Sequence, residues 1–468
     1  MDADDAAAAE LGWSEAELSA LAKAAQGLAR RLRPDAALDE CTPAVSASHE
    51  IDPASVLQAL ERTATRLEDN YPYHHPLYAG QMLKPPHPVA RLAYALALTV
   101  NPNNHALDGG RASSRMEREA VSDLARMLGW RDHLGHLTSG GTVANLEALW
   151  VAGREHPGRT VLASDQAHYT HARISAVLGL PFDSVASDSN GRIDLAALQR
   201  RLAAGDVGCV VATAGTTGYG AVDPIDAVHE LCREAGARLH VDAAYGGYFT
   251  LLRDAEELPQ PTRAAFAAIG RADSVVIDPH KHGLQPYGCG AVLFADPEVG
   301  RHYRHDSPYT YFSSQELHLG EISLECSRAG AAAVALWATH QVLPPVPGGP
   351  FADGLAACRR AALELHRRLG ADGRWRVLLE PELDIVVFAP RQASAEDTAE
   401  ASRHVFRRAA EEGLHLALIE VPAPLVEARW PDLRPSDGVS VACLRSCLMK
   451  PQHEAWIERI ATILGRCL

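Results

Sequence analysis

The sequence predicts an α/β protein in which a large domain, built on a mainly parallel sheet with helices on both faces, is followed by a smaller α/β domain. Three observations carry that prediction. Between about residues 115 and 340, short apolar strands near 160, 184, 209, 238, 274 and 291 alternate with helical segments. Polar residues suited to ligand binding stand at the ends of those strands and the starts of the helices, where open parallel sheets carry their sites. The Pro- and Gly-rich stretch Pro344–Pro350 then marks a boundary, beyond which a new set of helices and strands begins.

Taken in order, residues 1–110 form an N-terminal helical segment, with an amphipathic helix from Ser14 to Leu32 and a second near Pro53 to Asp69. The turn-rich loop Asn101–Gly110 leads to a helix starting near Ser114, and the large domain occupies 111–345. In the small domain, 351–468, a helix near 352–369 precedes strands near 375–380 and 384–389. A helix near 396–412, strands near 414–421 and 439–448, and a last helix near 453–466 complete it. With 468 residues the chain is long enough to bury a substantial core in this arrangement.

A formal net charge of −15 argues against nucleic acid or an anionic membrane as partners. The longest clean apolar run, Leu92 to Val100, is too short to span a bilayer. The first residues, Met-Asp-Ala-Asp-Asp-Ala, are acidic where a targeting peptide would be basic. Nine cysteines are scattered without a Cys-x-x-Cys pair, and several lie in apolar strands, so reduced thiols and a cytoplasmic location are expected. Cys443 and Cys447 share one face of a strand, but no His pair stands near at ligand spacing, so no metal site is expected.

The most informative stretch is Ser274-Val-Val-Ile-Asp-Pro-His-Lys-His282, an apolar strand that delivers Lys281. An isolated lysine past a strand is ordinarily a solvated surface group. A half-buried one tends to lose its proton and becomes an amine nucleophile toward an aldehyde. Three other segments favour the second reading. Arg238–Gly247 is an apolar strand ending in Asp242 and small residues; Leu137–Leu149 opens a helix with Gly140, Gly141 and Thr142; Thr160–His168 is a strand that delivers His168.

Each part meets a demand of pyridoxal 5′-phosphate. Backbone N–H groups at a helix start, with the hydroxyl of Thr142, suit a phosphate dianion. Asp242 suits the protonated ring nitrogen, and His168 suits a stacking position on the ring. An aspartate after a strand is often only a helix cap, and a lone histidine often only half-buried packing. It is the order of all four along one chain that selects this cofactor.

These residues resemble the pyridoxal phosphate-dependent amino acid decarboxylases of fold type I, the group II decarboxylases. The resemblance runs from about His75 to Leu448. It implies a large domain with a mainly parallel seven-stranded-type sheet, a small C-terminal α/β domain, and a homodimer with the N-terminal helices packed against the second subunit. Asp-Pro-His-Lys at 278–281 is similar to the family's Schiff-base signature, which makes Lys281 the cofactor-bearing amine and Asp278 a phosphate contact. His280 is then the histidine that meets cofactor and substrate. His-Val-Asp-Ala-Ala at 240–244 places Asp242 at the ring nitrogen and Ala244 under the ring. Asp-Gln-Ala-His at 165–168 supplies the stacking His168, and Ala-Gly-Thr-Thr at 214–217 supplies Thr217.

The same resemblance assigns Arg328 in Glu-Cys-Ser-Arg to the substrate carboxylate end. It places His75 and Tyr78, in Tyr71–Gly80, at the mouth of the site. It makes His302–Ser314 a catalytic loop in which Tyr309 and Tyr311 are both candidates to return a proton to Cα. Two departures stand out. Val143 replaces a glutamate common in relatives, and Pro286–Gly290 differs from the aromatic amino acid decarboxylases. The expected activity is decarboxylation of an L-amino acid to an amine and carbon dioxide. Carbon–carbon lyase, aminotransferase and aldehyde-forming reactions on the same cofactor are the alternatives.

Overall fold

The computed structural model describes residues 12–32, 52–304, 317–434 and 438–468. The chain divides into two compact units, residues 1–78 and 79–468. In the first, helix Glu15–Arg31 starts at Ser14, whose hydroxyl accepts from Glu17 N while Glu17 accepts from Ser14 N at 2.7 Å. This reciprocal cap satisfies two orphan donors of the first turn. Asp52 caps helix Pro53–Leu67 by accepting from Ala54 N and Ser55 N.

The second unit holds two sheets. The larger has seven strands: β1 (Leu134–Thr138), β2 (Thr160–Ser164), β3 (Phe182–Val185), β4 (Val207–Thr213), β5 (Arg238–Asp242), β6 (Ser274–Ile277) and β7 (Gly290–Phe294). Their order is β1-β7-β6-β5-β4-β2-β3, and only β7 runs antiparallel to its neighbours. The smaller sheet comprises β8 (Trp375–Val377), β9 (Ile385–Pro390), β10 (Ala417–Pro422) and β11 (Ser440–Cys447), in the antiparallel order β10-β11-β9-β8. Helices Gly330–Val342 and Pro350–Ala371 flank the Pro- and Gly-rich stretch that separates the two sheets in sequence.

The central strands are buried on both faces. Val210, Val211, Val241, Val275 and Val276 are fully inaccessible, which is why these strands read as continuous apolar runs rather than alternating ones. Each such side chain contributes about 1.5–3 kcal/mol relative to exposure. The sequence reading names six strands of this sheet and omits β1, whose Leu-Gly-His-Leu-Thr carries a glycine and a histidine. His136 is nonetheless fully buried, because its Nε2 lies 3.0 Å from Glu147 Oε2. The helix expected near Ser114 begins earlier, at Leu107, and bends at Gly110.

The architecture brings one edge of the large sheet together. β5 ends at Asp242 and β6 directly before Asp278; their register pairs Asp242 with Val276. β1 and β2 end shortly before Gly140 and His168. Parallel strands place their carboxyl ends on the same edge, so these groups converge whatever their separation in sequence. No described helix is long and apolar enough to cross a membrane.

Candidate active site

A cleft of about 300 Å³ opens at this edge. It is lined by all ten residues that the sequence assigns to the cofactor: Gly140, Gly141, Thr142, His168, Thr217, Asp242, Ala244, Asp278, His280 and Lys281. The lysine comes from the turn after β6, where Lys281 N donates to Asp278 O at 2.9 Å and Lys281 Nζ lies 3.1 Å from Asp278 Oδ2. Its side chain is 22% exposed, so the amine faces the cleft rather than bulk solvent.

Asp242 is 5% exposed. His171 Nε2 donates to its Oδ2 at 2.9 Å, and Ala244 N donates to its Oδ1 at 3.1 Å. Burial works against ionisation here, but the hydrogen bond and charge of His171, followed by Lys281, hold the carboxyl well below the usual carboxylate range. A second buried histidine stands behind His171. His240 places Nε2 2.8 Å from Asn145 Oδ1 and Nδ1 2.9 Å from Ser274 Oγ. Burial, then the charge of His171, pushes its imidazole down to about 3, so it is neutral. Nε2–H therefore donates to the Asn145 carbonyl, and Nδ1 accepts from Ser274.

His168 is half-buried, and its Nδ1 accepts from Thr170 N at 3.3 Å. Burial lowers its pKa, against the pull of Asp242 and with help from Lys281. The ring is thus a neutral imidazole with its proton on Nε2. His280 is similar: burial lowers its pKa first, with Asp278 opposing, and Nδ1–H donates to Cys289 O at 2.9 Å. Its Nε2 lies 3.7 Å from Asp278 Oδ2.

The start of helix Gly141–Glu155 forms the opposite wall. Gly140 has φ +151° and ψ 173°, a conformation open only to glycine, and no side chain caps the helix. A Cβ on Gly141 would meet Asp278 Oδ2 at 2.6 Å. Asp278 Oδ1 is buried without a described hydrogen-bond partner. A bare helix start with free N–H groups, and glycines where a side chain would fill the space, form a cradle suited to a phosphate monoester, with Asp242 lining the same cleft. These residues fit pyridoxal 5′-phosphate.

Other expectations fall elsewhere. Arg328 does not line the cleft: its Nη2 is 2.8 Å from Glu117 Oε1, and its Nη1 donates to Leu137 O. Glu117 is 2% exposed, and a carboxylate buried so deeply pairs with this guanidinium. His75 and Tyr78 belong to the N-terminal unit, where the rings of Tyr73 and Tyr78 meet edge-on at 4.9 Å. Tyr309 and Tyr311 lie outside the described residues.

The sequence reading also missed residues that the fold brings in. His171 lies in the first turn of helix Thr170–Leu178, three positions after His168. Arg445 alternates with Cys443 and Cys447 along β11 and is 7% exposed. Its Nη1 donates to Thr217 O at 2.8 Å and its Nη2 to Gln81 Oε1 at 2.9 Å. Among the described residues no carboxylate pairs with it, and its Nε is buried without a hydrogen-bond partner.

Comparison with known proteins gives the same picture. The family model described as the pyridoxal-dependent decarboxylase conserved domain matches residues 73–391. A probable L-tyrosine/L-aspartate decarboxylase of Methanothermobacter thermautotrophicus is 31% identical over 322 residues, covering 66% of this chain and 82% of that protein. An L-tyrosine decarboxylase of Levilactobacillus brevis is 29% identical over 384 residues, 61% of each chain. The crystal structure of mouse CSAD superposes with a TM-score of 0.76 at 21% identity, over 97% of this chain and 99% of the other.

Proposed function

The chain belongs to the pyridoxal-dependent decarboxylase family, carboxy-lyases with pyridoxal 5′-phosphate as cofactor, and we propose that Lys281 is the amine that carries the cofactor while an L-amino acid loses carbon dioxide. One observation carries the reading. Lys281, the ionised Asp242 and the glycine cradle at 140–141 converge on a single cleft.

Bound pyridoxal phosphate supplies an electron-accepting ring for the bonding pair left when carbon dioxide departs. Asp242 stabilises positive charge on the facing ring nitrogen. At ~4 Å and an effective dielectric of ~20, such a pair is worth about 4 kcal/mol before desolvation. His171 keeps that carboxylate ionised and aimed. His168 presents a neutral face, so it packs against a ring without adding a charge that would oppose Asp242. Lys281 would hold the cofactor through its amine, with Asp278 as that amine's nearest counter-ion.

Arg445 is the candidate for the substrate carboxylate end. It is a buried cation with no described carboxylate partner, and although it does not itself line the cleft, its Nη1 donates to the carbonyl of Thr217, which does. A loop tyrosine, Tyr309 or Tyr311, or His280 would return the proton to Cα; His280, whose Nδ1–H is donated to Cys289 O, can do so only after its Nε2 has taken up a proton. A homodimer is supported by helix Pro53–Leu67, which buries none of its residues and exposes Val56, Leu57, Leu60 and Leu67 by 43–62%.

The test is carbon dioxide release from each of the twenty L-amino acids by enzyme reconstituted with cofactor. At least one should give the amine and carbon dioxide in equal amounts. Lys281→Ala should lose both turnover and the visible absorbance of the lysine-bound cofactor. A coloured, active Lys281→Ala enzyme would sink the assignment.

A further inference from the structure

We propose that Asp384 is a positioning residue for Lys281, a carboxylate delivered by the small antiparallel sheet that fixes, through His282 and Tyr245, the two segments from which Lys281 and Ala244 face the cleft. Asp384 immediately precedes β9 and lies outside the cleft, as does His282. Its carboxylate nevertheless makes two contacts with the site's supporting segments. Tyr245 Oη donates to Asp384 Oδ1 at 2.6 Å, and His282 Nε2 lies 3.2 Å from Asp384 Oδ2, an ion-pair distance without hydrogen-bond alignment.

Both partners are chain neighbours of site residues. Tyr245 follows Ala244 and comes three positions after Asp242; His282 follows Lys281. All three clamp residues are nearly or fully inaccessible, with Asp384 and His282 at 0% and Tyr245 at 3%. The His282 ring is further held edge-on by Tyr245 at 4.8 Å and Phe249 at 5.1 Å. The backbone of Asp384 is also fixed, since its carbonyl accepts from Leu448 N at 2.8 Å, just past β11. A buried carboxylate is costly unless paired. Burial opposes the ionisation of Asp384, and contacts with His282, the Tyr245 hydroxyl and Lys84 outweigh it, while burial also lowers the pKa of His282.

The physical consequence is leverage. Side chains of consecutive residues diverge, so a pinned His282 leaves Lys281 directed to the cleft while its main chain is held from behind. On its other side Lys281 is held by its own N–H to Asp278 O and by His280, which is bonded to Cys289 O. One carboxylate thereby ties the small sheet to both edges of the cofactor seat, and its removal should disturb the chemical step more than substrate binding.

The inference rests on Lys281 as the cofactor-bearing amine. That assignment is tested in unmodified enzyme and Lys281→Ala, whereas the clamp is tested among variants that retain Lys281. Asp384→Asn should lower kcat by about tenfold or more, weaken cofactor binding by a similar factor and alter the visible band, with KM within about twofold of wild type. Tyr245→Phe, which removes one hydroxyl, should lose about threefold to tenfold in the same two quantities. The double variant should be little worse than Asp384→Asn, because both act on one network. A residue with a purely structural role would lower the melting temperature yet leave kcat and the visible band of the folded, saturated enzyme unchanged, and that result would overturn the proposal. Should Asp384→Asn fail to fold, Tyr245→Phe decides: a parallel loss of kcat and cofactor affinity supports the clamp, and wild-type values overturn it.

Discussion

His171 Nε2 donates to Asp242 Oδ2 at 2.9 Å, both groups are buried, and among the described residues no other side chain is hydrogen-bonded to that carboxylate. Charge-assisted bonds of this kind contribute about 1.5–3 kcal/mol. His171→Phe keeps most of the ring volume and removes the donor, leaving burial to favour the protonated acid. We expect kcat to fall about tenfold to a hundredfold, with weaker cofactor binding. Steady-state kinetics at saturating cofactor check this, and wild-type kcat in the variant would contradict it.

Gly141 and Asp278 approach too closely for any side chain, since a Cβ would stand 2.6 Å from Asp278 Oδ2. Gly141→Ala must push the carboxylate or the helix start aside, an overpacking that costs about 1–3 kcal/mol. Titration of the apoenzyme with pyridoxal phosphate should show a dissociation constant about 5-fold to 150-fold higher, with the fold intact by circular dichroism.

The two buried arginines should separate cleanly. Arg328→Gln leaves Glu117 as a buried, unpaired charge, so stability should fall by about 3–5 kcal/mol in denaturant titrations. Arg445→Gln removes a cation without a described carboxylate partner, so the expected loss is in KM for the amino acid, about tenfold or more, with a small change in unfolding midpoint. An unchanged KM in Arg445→Gln would return the carboxylate end to another residue.

Lys450 gives a pH signature. It is 3% exposed, and burial, followed by the charge of Lys84, pushes its ammonium down to about 7. The unfolded chain, with an ordinary lysine pKa near ~10.4, then binds more protons than the folded one between about pH 7 and 10. Stability carried by this group is therefore gained as pH rises through that window and lost as pH falls through about 7. Lys450→Met should exceed wild type in stability at pH 6, and the gap should close toward pH 10 by at most about 1.4 kcal/mol per pH unit. Urea midpoints across that range test it; a gap that widens with pH would be the contrary outcome.

The residues that sequence reading found share a physical trait. Lys281, Asp242 and His168 are reactive groups that follow apolar strands, and Gly140 and Gly141 precede a helix; local pattern alone exposes such breaks. What it missed depends on distant partners. His136 makes β1 look polar until Glu147 is seen to satisfy it. Arg328 pairs with Glu117, 211 positions away, a partner that local pattern does not announce. Arg445 and Thr217 are 228 apart, and nothing in either segment announces the other.

By itself, then, the sequence determined six of the seven strands of the large sheet and the polar groups that follow them, because each follows from periodicity and residue chemistry within a few positions. The tertiary structure alone decided which buried charges are spent on one another and which face the cleft. Glu117 claims Arg328, His171 secures Asp242, and Asp384 holds the neighbours of Lys281 and Ala244. The reason is that a charge taken out of water must find its partner in space, and in this fold that partner is seldom close in the chain.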